Sequence, residues 1–278
     1  MTFMVKSISP SDISSVQLQQ VMQTAIAPRP IALASTINNK GEINLSPFSF
    51  FNMFSTVPPI VIISPSRRVR DNTTKHTLEN LKEVPELVIG NVNFEMVQQV
   101  SLASTEYEGG INEFIKSGLT MKPADLVKPP LIAESPVNFE CKVLEIKSLG
   151  NLGGAGNLVI AEIVKIHINE KYLDEAGNID QKQLDLVARL GGNFYSRNKE
   201  NNIFEVPKPL VTKGIGYDQL PDEIKRSDIF TGNDLGMLAN VKILPTGRFS
   251  SEKDVHLLAQ NYLKNNEIEN AWNILKSD

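Results

Sequence analysis

Short apolar runs separated by turn residues dominate the first two thirds of the chain. Ile60–Ile63 is continuously apolar, which is typical of a strand that is covered on both faces. Between Val137 and Val143, apolar and polar residues alternate, which predicts a strand with one buried face. Leu87–Val92 reads as a further buried strand. Because these runs do not alternate regularly with helical segments, the pattern favours an antiparallel barrel over a parallel sheet.

Two hairpins follow from the turn signals between the runs. Asn38-Asn39-Lys40-Gly41 separates Ile31–Ile37 from Ile43–Phe51, and this run of turn residues is a strong turn signal. The glycine-rich segment from Gly150 to Gly156 precedes Leu158–Ile168 and is expected to be a flexible hairpin turn. Within Ile43–Phe51, continued alternation predicts that one face of the strand lines a cleft.

Three helices are predicted before residue 104, and two near the C-terminus. The first would be capped by Ser11 and Asp12, and the second by Asn72 to Thr74 and would run through Glu83. Phe94–Ala103, Glu252–Leu263 and Glu267–Leu275 complete the set.

The chain divides by character into three parts. Residues 1–27 are expected to form an N-terminal arm, residues 28–209 the barrel, and residues 210–278 a helical tail. Ile268, Ala271, Trp272 and Leu275 share one face of the last helix, and this apolar face predicts packing on the barrel or on a second subunit. The fold class is therefore mainly β, with inserted helices and a C-terminal helical tail.

Composition excludes several classes of function. The 278 residues carry a net charge of -4, which argues against nucleic acid as a partner. A single cysteine excludes an internal disulfide, and no apolar run approaches the roughly 18 residues of a membrane span. Since the N-terminal segment also lacks the apolar core of a signal peptide, we expect a cytoplasmic protein.

The stretch from Asn44 to Asn80 contains the densest mixture of hydroxyls, amides, aromatic rings and cations. Such a mixture suits a planar aromatic cofactor with a phosphate tail, since rings cover its faces and a basic loop holds the anion. Lys75 and Thr77 would open a helix, where free N–H groups favour an anion. They are the first candidates for phosphate binding, and Arg68 is the next. The alternative for Phe48, Phe50 and Phe51 is core packing.

These residues also carry a family resemblance. Six motifs along the chain resemble the flavin reductase-like family. They are Pro28–Thr36, Ser46–Asn52, Arg67–Thr77, Glu134–Pro136 with Glu140 and Cys141, Gly156–Ile160, and Arg189–Gly192 with Tyr195. The resemblance implies an FMN-binding split β-barrel and includes flavoredoxin-like flavoproteins. His76 departs from the family pattern, which commonly has an acidic residue at that position.

The resemblance also implies a set of cofactor-binding residues. Ser49 through Asn52 would lie along the polar edge of the flavin, and Tyr195 would lie on a loop close to it. The complete set is Ser46, Pro47, Phe48, Ser49, Phe50, Phe51, Asn52, Ser64, Arg68, Lys75, Thr77 and Tyr195. No adenosine-binding motif is recognisable, which favours FMN over FAD. Family members are usually dimers, so a homodimer is expected.

Two functions remain open at this point. The first is an oxidoreductase that takes hydride from NAD(P)H and passes electrons to free flavin or another acceptor. The second is a non-catalytic FMN electron carrier that docks a protein partner; a weaker third is an interaction protein that acts through residues 210–278. His76, His167 and His256 lack metal-ligand spacing, and Cys141 falls on the apolar face of its strand. We therefore expect the flavin, not a protein side chain or a metal, to supply the chemistry.

Overall fold

The chain folds into two compact units, Met1–Phe204 and Glu205–Asp278. The computed structural model describes residues 4–208 and 213–277. The sequence-based boundary between residues 209 and 210 lies outside the described residues, as does the start of the N-terminal arm. No helix in the described ranges is long and apolar enough to cross a bilayer.

The first unit contains eleven strands and four α-helices in its described part. The strands are β1 (Ala32–Ile37), β2 (Ile43–Phe48), β3 (Phe51–Thr56), β4 (Pro59–Ile63), β5 (Glu86–Asn91), β6 (Met121–Lys122), β7 (Leu131–Ile132), β8 (Val137–Ser148), β9 (Asn157–Ile168), β10 (Val187–Arg189) and β11 (Tyr195–Arg197). The helices are α1 (Ser15–Ala25), α2 (His76–Glu83), α3 (Val97–Ala103) and α4 (Glu113–Ser117).

Seven strands form one antiparallel sheet in the order β2-β1-β5-β8-β9-β4-β3. Strands β2 and β3 occupy opposite edges of this sheet, yet only Ser49 and Phe50 separate them in sequence. The three Cα–Cα steps from Phe48 to Phe51 span at most about 11 Å, so the sheet must curl until its edges approach each other at this point. The mainly antiparallel β fold is thus confirmed.

Apolar residues cover both faces of the central strands. On one face, Leu33 and Val88 belong to a cluster with Phe114 of α4. On the other face, Ala34 and Ile89 belong to a cluster that also contains Leu78 and Leu81 of α2. Burial on both sides explains why β1 and β5 are apolar without regular alternation.

Four sequence-based boundaries were wrong, each for a local reason. Helix α3 begins at Val97, not at Phe94, because residues 94–96 form a turn. Helix α1 is capped by Ser14, not by Ser11 and Asp12, because Ser14 and Gln17 form a reciprocal capping box. Helix α2 begins at His76, since Asn72 adopts a φ of 59° and cannot start a helix. Strand β2 ends at Phe48, so the predicted strand alternation does not continue to Phe51.

The second unit has its own apolar core. It comprises α5 (Asp222–Lys225), α6 (Gly232–Ala239), β12 (Arg248–Phe249), α7 (Lys253–Lys264), α8 (Ile268–Leu275) and β13 (Lys276–Ser277). The two C-terminal helices agree with prediction to within one residue at each end. Trp272 is buried among residues of α6, α7 and α8, so the apolar face of α8 is covered inside its own unit. This face therefore does not support the expected packing on another subunit.

Candidate functional site

A cleft that contains the cations Arg68 and Lys75 lies beside the start of helix α2. We call it the cation cleft; it is lined by Asn44, Ser46, Arg68, Lys75, His76, Thr77, Ala103, Ser104, Thr105, Glu106, Tyr107 and Glu113. Four of the predicted cofactor-binding residues meet here, namely Ser46, Arg68, Lys75 and Thr77. They come from three different elements: the strand β2, the loop after β4 and the start of α2. We call the loop after β4 the basic loop, because it contains Arg67, Arg68 and Arg70.

Lys75 is the most informative residue of the cation cleft. It is partly buried and immediately precedes α2. Among the described residues, nothing accepts a hydrogen bond from its Nζ. Burial, and next the nearby positive charge of Arg68, lower the pKa of Lys75 from its ordinary value. A cation that is partly desolvated and unpaired is costly, and an anion in the cleft would offset that cost.

Backbone groups add to this positive site. His76 and Thr77 occupy the first positions of α2, where an N–H group has no acceptor within the helix. The helix dipole also places partial positive charge at this end. Lys75 and the start of α2 therefore border the same cleft, where their positive charge would favour an anion.

Glu106 is the counter-charge that the sequence did not reveal. Its carboxylate accepts from Arg68 Nε at 2.9 Å and from Arg70 Nη2 at 2.5 Å. Burial alone would raise the pKa of Glu106, but the hydrogen bond from Arg68 and the surrounding positive charges lower it. Glu106 lies 38 residues after Arg68, in a segment that reads as irregular, so no local pattern could have paired them.

Thr77 is held by a buried network. Its hydroxyl donates to Asn44 Oδ1 at 2.7 Å, and Asn44 Nδ2 donates to Glu113 Oε1 at 2.8 Å. Burial raises the pKa of Glu113, against the hydrogen bonds that lower it. Because the Thr77 proton is committed to Asn44, Thr77 can offer an anion its backbone N–H rather than its hydroxyl proton.

The Ser49–Phe50 link between β2 and β3 carries two further predicted cofactor-binding residues. Ser49 Oγ accepts from Arg29 Nε at 3.4 Å, and Ser64 N donates to the Phe50 carbonyl at 2.9 Å. Phe50 lines an apolar groove of about 390 Å³ together with Leu18, Met22, Ile26, Val69, Gly153 and Gly154. The predicted residues Ser49, Phe50 and Ser64 thus lie close together.

The glycine-rich turn between β8 and β9 is bonded to the basic loop. Arg67 N donates to the Ala155 carbonyl at 2.8 Å, and Gly154 N donates to the Arg67 carbonyl at 3.0 Å. A Cβ atom on Gly153 would lie 2.9 Å from the Val69 carbonyl oxygen, so only glycine allows this approach. The turn that was expected to be merely flexible therefore shapes the loop that carries Arg68.

The remaining residues of the Ser46–Asn52 run differ in exposure. Phe48 is buried in the core cluster with Val61 and Ile63, which agrees with the core-packing alternative for this ring. Pro47 is half-buried within β2, and Phe51 packs partly against the same core. Asn52 is exposed on the edge strand β3.

Tyr195 lies in a third location, at the start of β11. The preceding Gly192 has a φ of 56° and lies in the turn of the β10–β11 hairpin. The Arg189 guanidinium lies 4.6 Å from the centroid of the Tyr195 ring. Both residues line a pocket that also contains Ser104 of the cation cleft, so the two sites adjoin.

Other titratable groups have structural partners. Asp125, Glu140 and His167 place possible ligand atoms within 4.8 Å of one another. However, Glu140 already accepts from three backbone N–H groups and His167, and Asp125 is paired with Lys165. This group ties the segment before β7 to the sheet.

Cys141 and His256 are also buried. Burial raises the pKa of the Cys141 thiol to about 12, which leaves it protonated and unreactive at neutral pH. His256 Nε2 donates to the Ser250 carbonyl at 2.7 Å, so its Nδ1 can accept from the Ser227 hydroxyl at 2.8 Å.

Comparison with known proteins identifies the family of the first unit. The model of the flavin reductase like domain matches residues 24–197. The chain belongs to the flavin reductase-like family. The match lies entirely within the first unit, and the fold is the family's split barrel. The second unit lies outside the family model.

Relatives of this flavin reductase-like chain match about three quarters of its length. An uncharacterized protein of Halalkalibacterium halodurans is 32% identical over 208 residues, which are 74% of this chain and 98% of the relative. Nitrilotriacetate monooxygenase component B from Bacillus cereus superposes with a TM-score of 0.69 at 24% identity, covering 74% of this chain and 100% of that one. 2-Nitrobenzoate 2-nitroreductase from Pseudomonas fluorescens gives a TM-score of 0.65 at 26% identity, covering 75% and 100%.

The residues of the site fit the phosphate-bearing flavin of this family. The unpaired ammonium of Lys75, the free N–H groups of α2 and Arg68 would supply donors for a phosphate. Ser49, Phe50 and Ser64 would supply polar and aromatic groups at the link between the sheet edges.

Proposed function

We propose that the first unit binds FMN and acts as an NAD(P)H-dependent flavin reductase-type oxidoreductase. The observation that carries this proposal is the cation cleft, in which Lys75 is partly buried without an acceptor among the described residues. A monophosphate would receive donors from Lys75, from Arg68 and from the N–H groups that open α2. One phosphate-binding position of this kind suits FMN better than FAD.

Each group has a defined task in this proposal. The bound flavin would accept hydride from reduced nicotinamide and pass electrons to free flavin or another acceptor. Ser49, Asn52 and Ser64 would pair with its polar edge, and Phe50 would cover apolar ring surface. Thr77 would be held in place through Asn44 and Glu113. The protein therefore positions the cofactor and excludes water.

Two measurements test this function. The flavin released from the purified protein should be FMN, identified by chromatography against riboflavin and FAD standards. Stopped-flow mixing of the holoprotein with NADH and with NADPH should then bleach the flavin absorbance at catalytic rates with at least one nucleotide. Purified protein that neither contains nor binds a flavin would refute the proposal. FMN binding without bleaching by either nucleotide would instead favour an electron carrier.

We also propose that the first unit forms a homodimer. Met53 and Phe54 on the edge strand β3 are 65% and 63% exposed, and an exposed apolar strand edge favours pairing with another chain. Helix α1 contributes no buried residue, although it presents Val16, Val21 and Met22, and the exposed Ile26 follows it. Light scattering of the holoprotein at low micromolar concentration should give twice the mass of the chain, and a monomeric holoprotein would contradict the dimer.

Replacement of Glu106 is expected to change the affinity for FMN modestly. In Glu106→Gln, the carboxylate no longer competes for Arg68 and Arg70, so FMN should bind up to about fivefold more tightly, the scale of a partly exposed ion pair. Titration of the apoprotein with FMN measures this change. Glu108→Gln, in the same segment but without an ion pair among the described side chains, is the control. Weaker binding by Glu106→Gln would mean that Glu106 orients Arg68 productively.

A further inference from the structure

Arg29 is a buried cation without a carboxylate partner among the described residues. Its side chain is almost entirely enclosed, with 7% of the residue exposed. Nη1 donates to the carbonyls of Gln23 and Ile26, Nη2 donates to the Leu190 carbonyl at 2.9 Å, and Nε donates to Ser49 Oγ at 3.4 Å. All four acceptors are neutral, so the positive charge is hydrogen-bonded but not compensated.

The charged group that acts on Arg29 is another cation, Arg189. Burial, and next the positive charge of Arg189, lower the pKa of Arg29, although a guanidinium remains protonated at neutral pH. The backbones of Arg29 and Arg189 are paired, with N–H to carbonyl distances of 3.0 and 2.8 Å. Arg29 therefore lies next to Ser49, and backbone pairing holds Arg189 next to Arg29.

A purely structural role does not account for an uncompensated charge. Arg29 satisfies carbonyls at the C-terminal end of α1, and the helix dipole offsets part of its charge there. Neutral donors could satisfy the same carbonyls without the cost of burying a cation. The uncompensated positive charge instead suits a bound group that is neutral in one redox state and negative in the other.

We infer that Arg29 is a positioning residue that raises the reduction potential of the bound flavin by acting through Ser49. This inference rests on the proposed function, which places Ser49 at the polar edge of the flavin. Hydride transfer from reduced nicotinamide delivers two electrons and one proton, and leaves oxidised nicotinamide. The bound flavin thereby gains one unit of negative charge. Arg29 and Arg189 stabilise that added charge, and they stabilise the neutral oxidised flavin much less.

The midpoint reduction potential of the flavin-loaded protein, called the midpoint below, tests the inference. In Arg29→Gln, the ratio of the affinities for reduced and oxidised flavin should fall at least tenfold, because charges are poorly screened where water is excluded. For a two-electron couple this is a midpoint about 30 mV lower. Arg29→Lys keeps the charge and should keep the midpoint. Titration against reference dyes in an enzymatic reduction system gives these values.

Lys40→Gln is a matched control for the loss of one positive charge. Lys40 lies in the turn before β2, whereas Ser49 follows the other end of that strand, so the two are separated by more than a Debye length of about 10 Å. The midpoint of Lys40→Gln should therefore equal that of the wild type. If Arg29→Gln does not fold, Arg189→Gln replaces it, because its backbone pairing with Arg29 does not require the side chain. A smaller shift in the same direction is expected there.

Each result decides the question. An unchanged midpoint in Arg29→Gln overturns the inference, because a residue that merely holds α1 would change the affinity for both redox states equally. Equal shifts in Arg29→Gln and Arg29→Lys also overturn it, since the charge would then not matter. If Arg189→Gln is the variant measured, an unchanged midpoint again overturns it. Wild-type apoprotein that binds no FMN refutes the proposed function itself, and a separate titration of the apoprotein with FMN measures this before the redox titration.

Discussion

Replacement of Glu140 by alanine is expected to lower the free energy of unfolding of the first unit by about 3–5 kcal/mol, the scale for removing one member of a buried charged network. The Glu140 carboxylate is fully buried and accepts from the N–H groups of Asp125, Leu126 and Val127 at 2.9, 2.6 and 3.0 Å. His167 Nε2 lies 2.6 Å from its Oε1. Alanine would leave all these donors without their acceptor.

Urea unfolding followed by circular dichroism measures the loss. Glu145→Ala is the control, because Glu145 lies on the same strand but is exposed and lacks a side-chain partner among the described residues. It should change the stability by less than about 0.5 kcal/mol. Equal stability of the two variants would show that the segment 123–130 does not depend on Glu140.

The effect should also depend on pH. Burial alone would raise the pKa of Glu140, but the N–H groups and His167 outweigh burial and hold its pKa below the ordinary value. A lowered folded-state pKa means that the stabilisation is complete above the unfolded pKa of about 4.3 and is lost as pH falls through the folded value. The difference between wild type and Glu140→Ala should therefore be constant near neutrality and shrink in acid.

The elements that sequence predicted best are those with a local signal. Leu158–Ile168 and the two C-terminal helices agree with the structure because their periodicity and turn residues act within a few positions of one another. The family motifs similarly place Ser46, Arg68, Lys75 and Thr77, which the structure brings to one cleft.

The features that sequence missed depend on contacts between distant segments. The chain leaves one sheet edge at Phe48 and joins the other at Phe51, although the residue pattern continues across the change. Likewise, Glu140 meets Asp125, and Arg29 meets Leu190, 161 residues later. Topology decides such pairings, and neither periodicity nor spacing encodes it.

Replacement of Lys75 by alanine is expected to weaken FMN binding by about 1–3 kcal/mol, which is roughly five- to 150-fold in Kd. The physical reason is the loss of a charge-assisted hydrogen bond to the phosphate from a partly desolvated ammonium. The barrel should remain folded, because the Lys75 side chain holds no hydrogen bond with any described residue. Removing an unpaired cation should leave the stability of the apoprotein unchanged or slightly higher.

Titration of the apoprotein with FMN, followed by quenching of flavin fluorescence, measures the affinity. Lys82→Ala is the matched control, since Lys82 lies on the same helix but at its other end, paired with Glu79. Riboflavin provides a second control, because it lacks the phosphate. Its affinity should be the same for wild type and Lys75→Ala.

The affinity of the wild type for FMN should also fall at high pH, as Lys75 loses its proton below the usual lysine range. That fall should be smaller in Lys75→Ala. Equal FMN affinities in wild type and Lys75→Ala would place Lys75 outside the phosphate site. A matching loss of riboflavin affinity would instead show that the mutation disturbs the whole pocket, so only a loss confined to FMN identifies Lys75 as the phosphate donor.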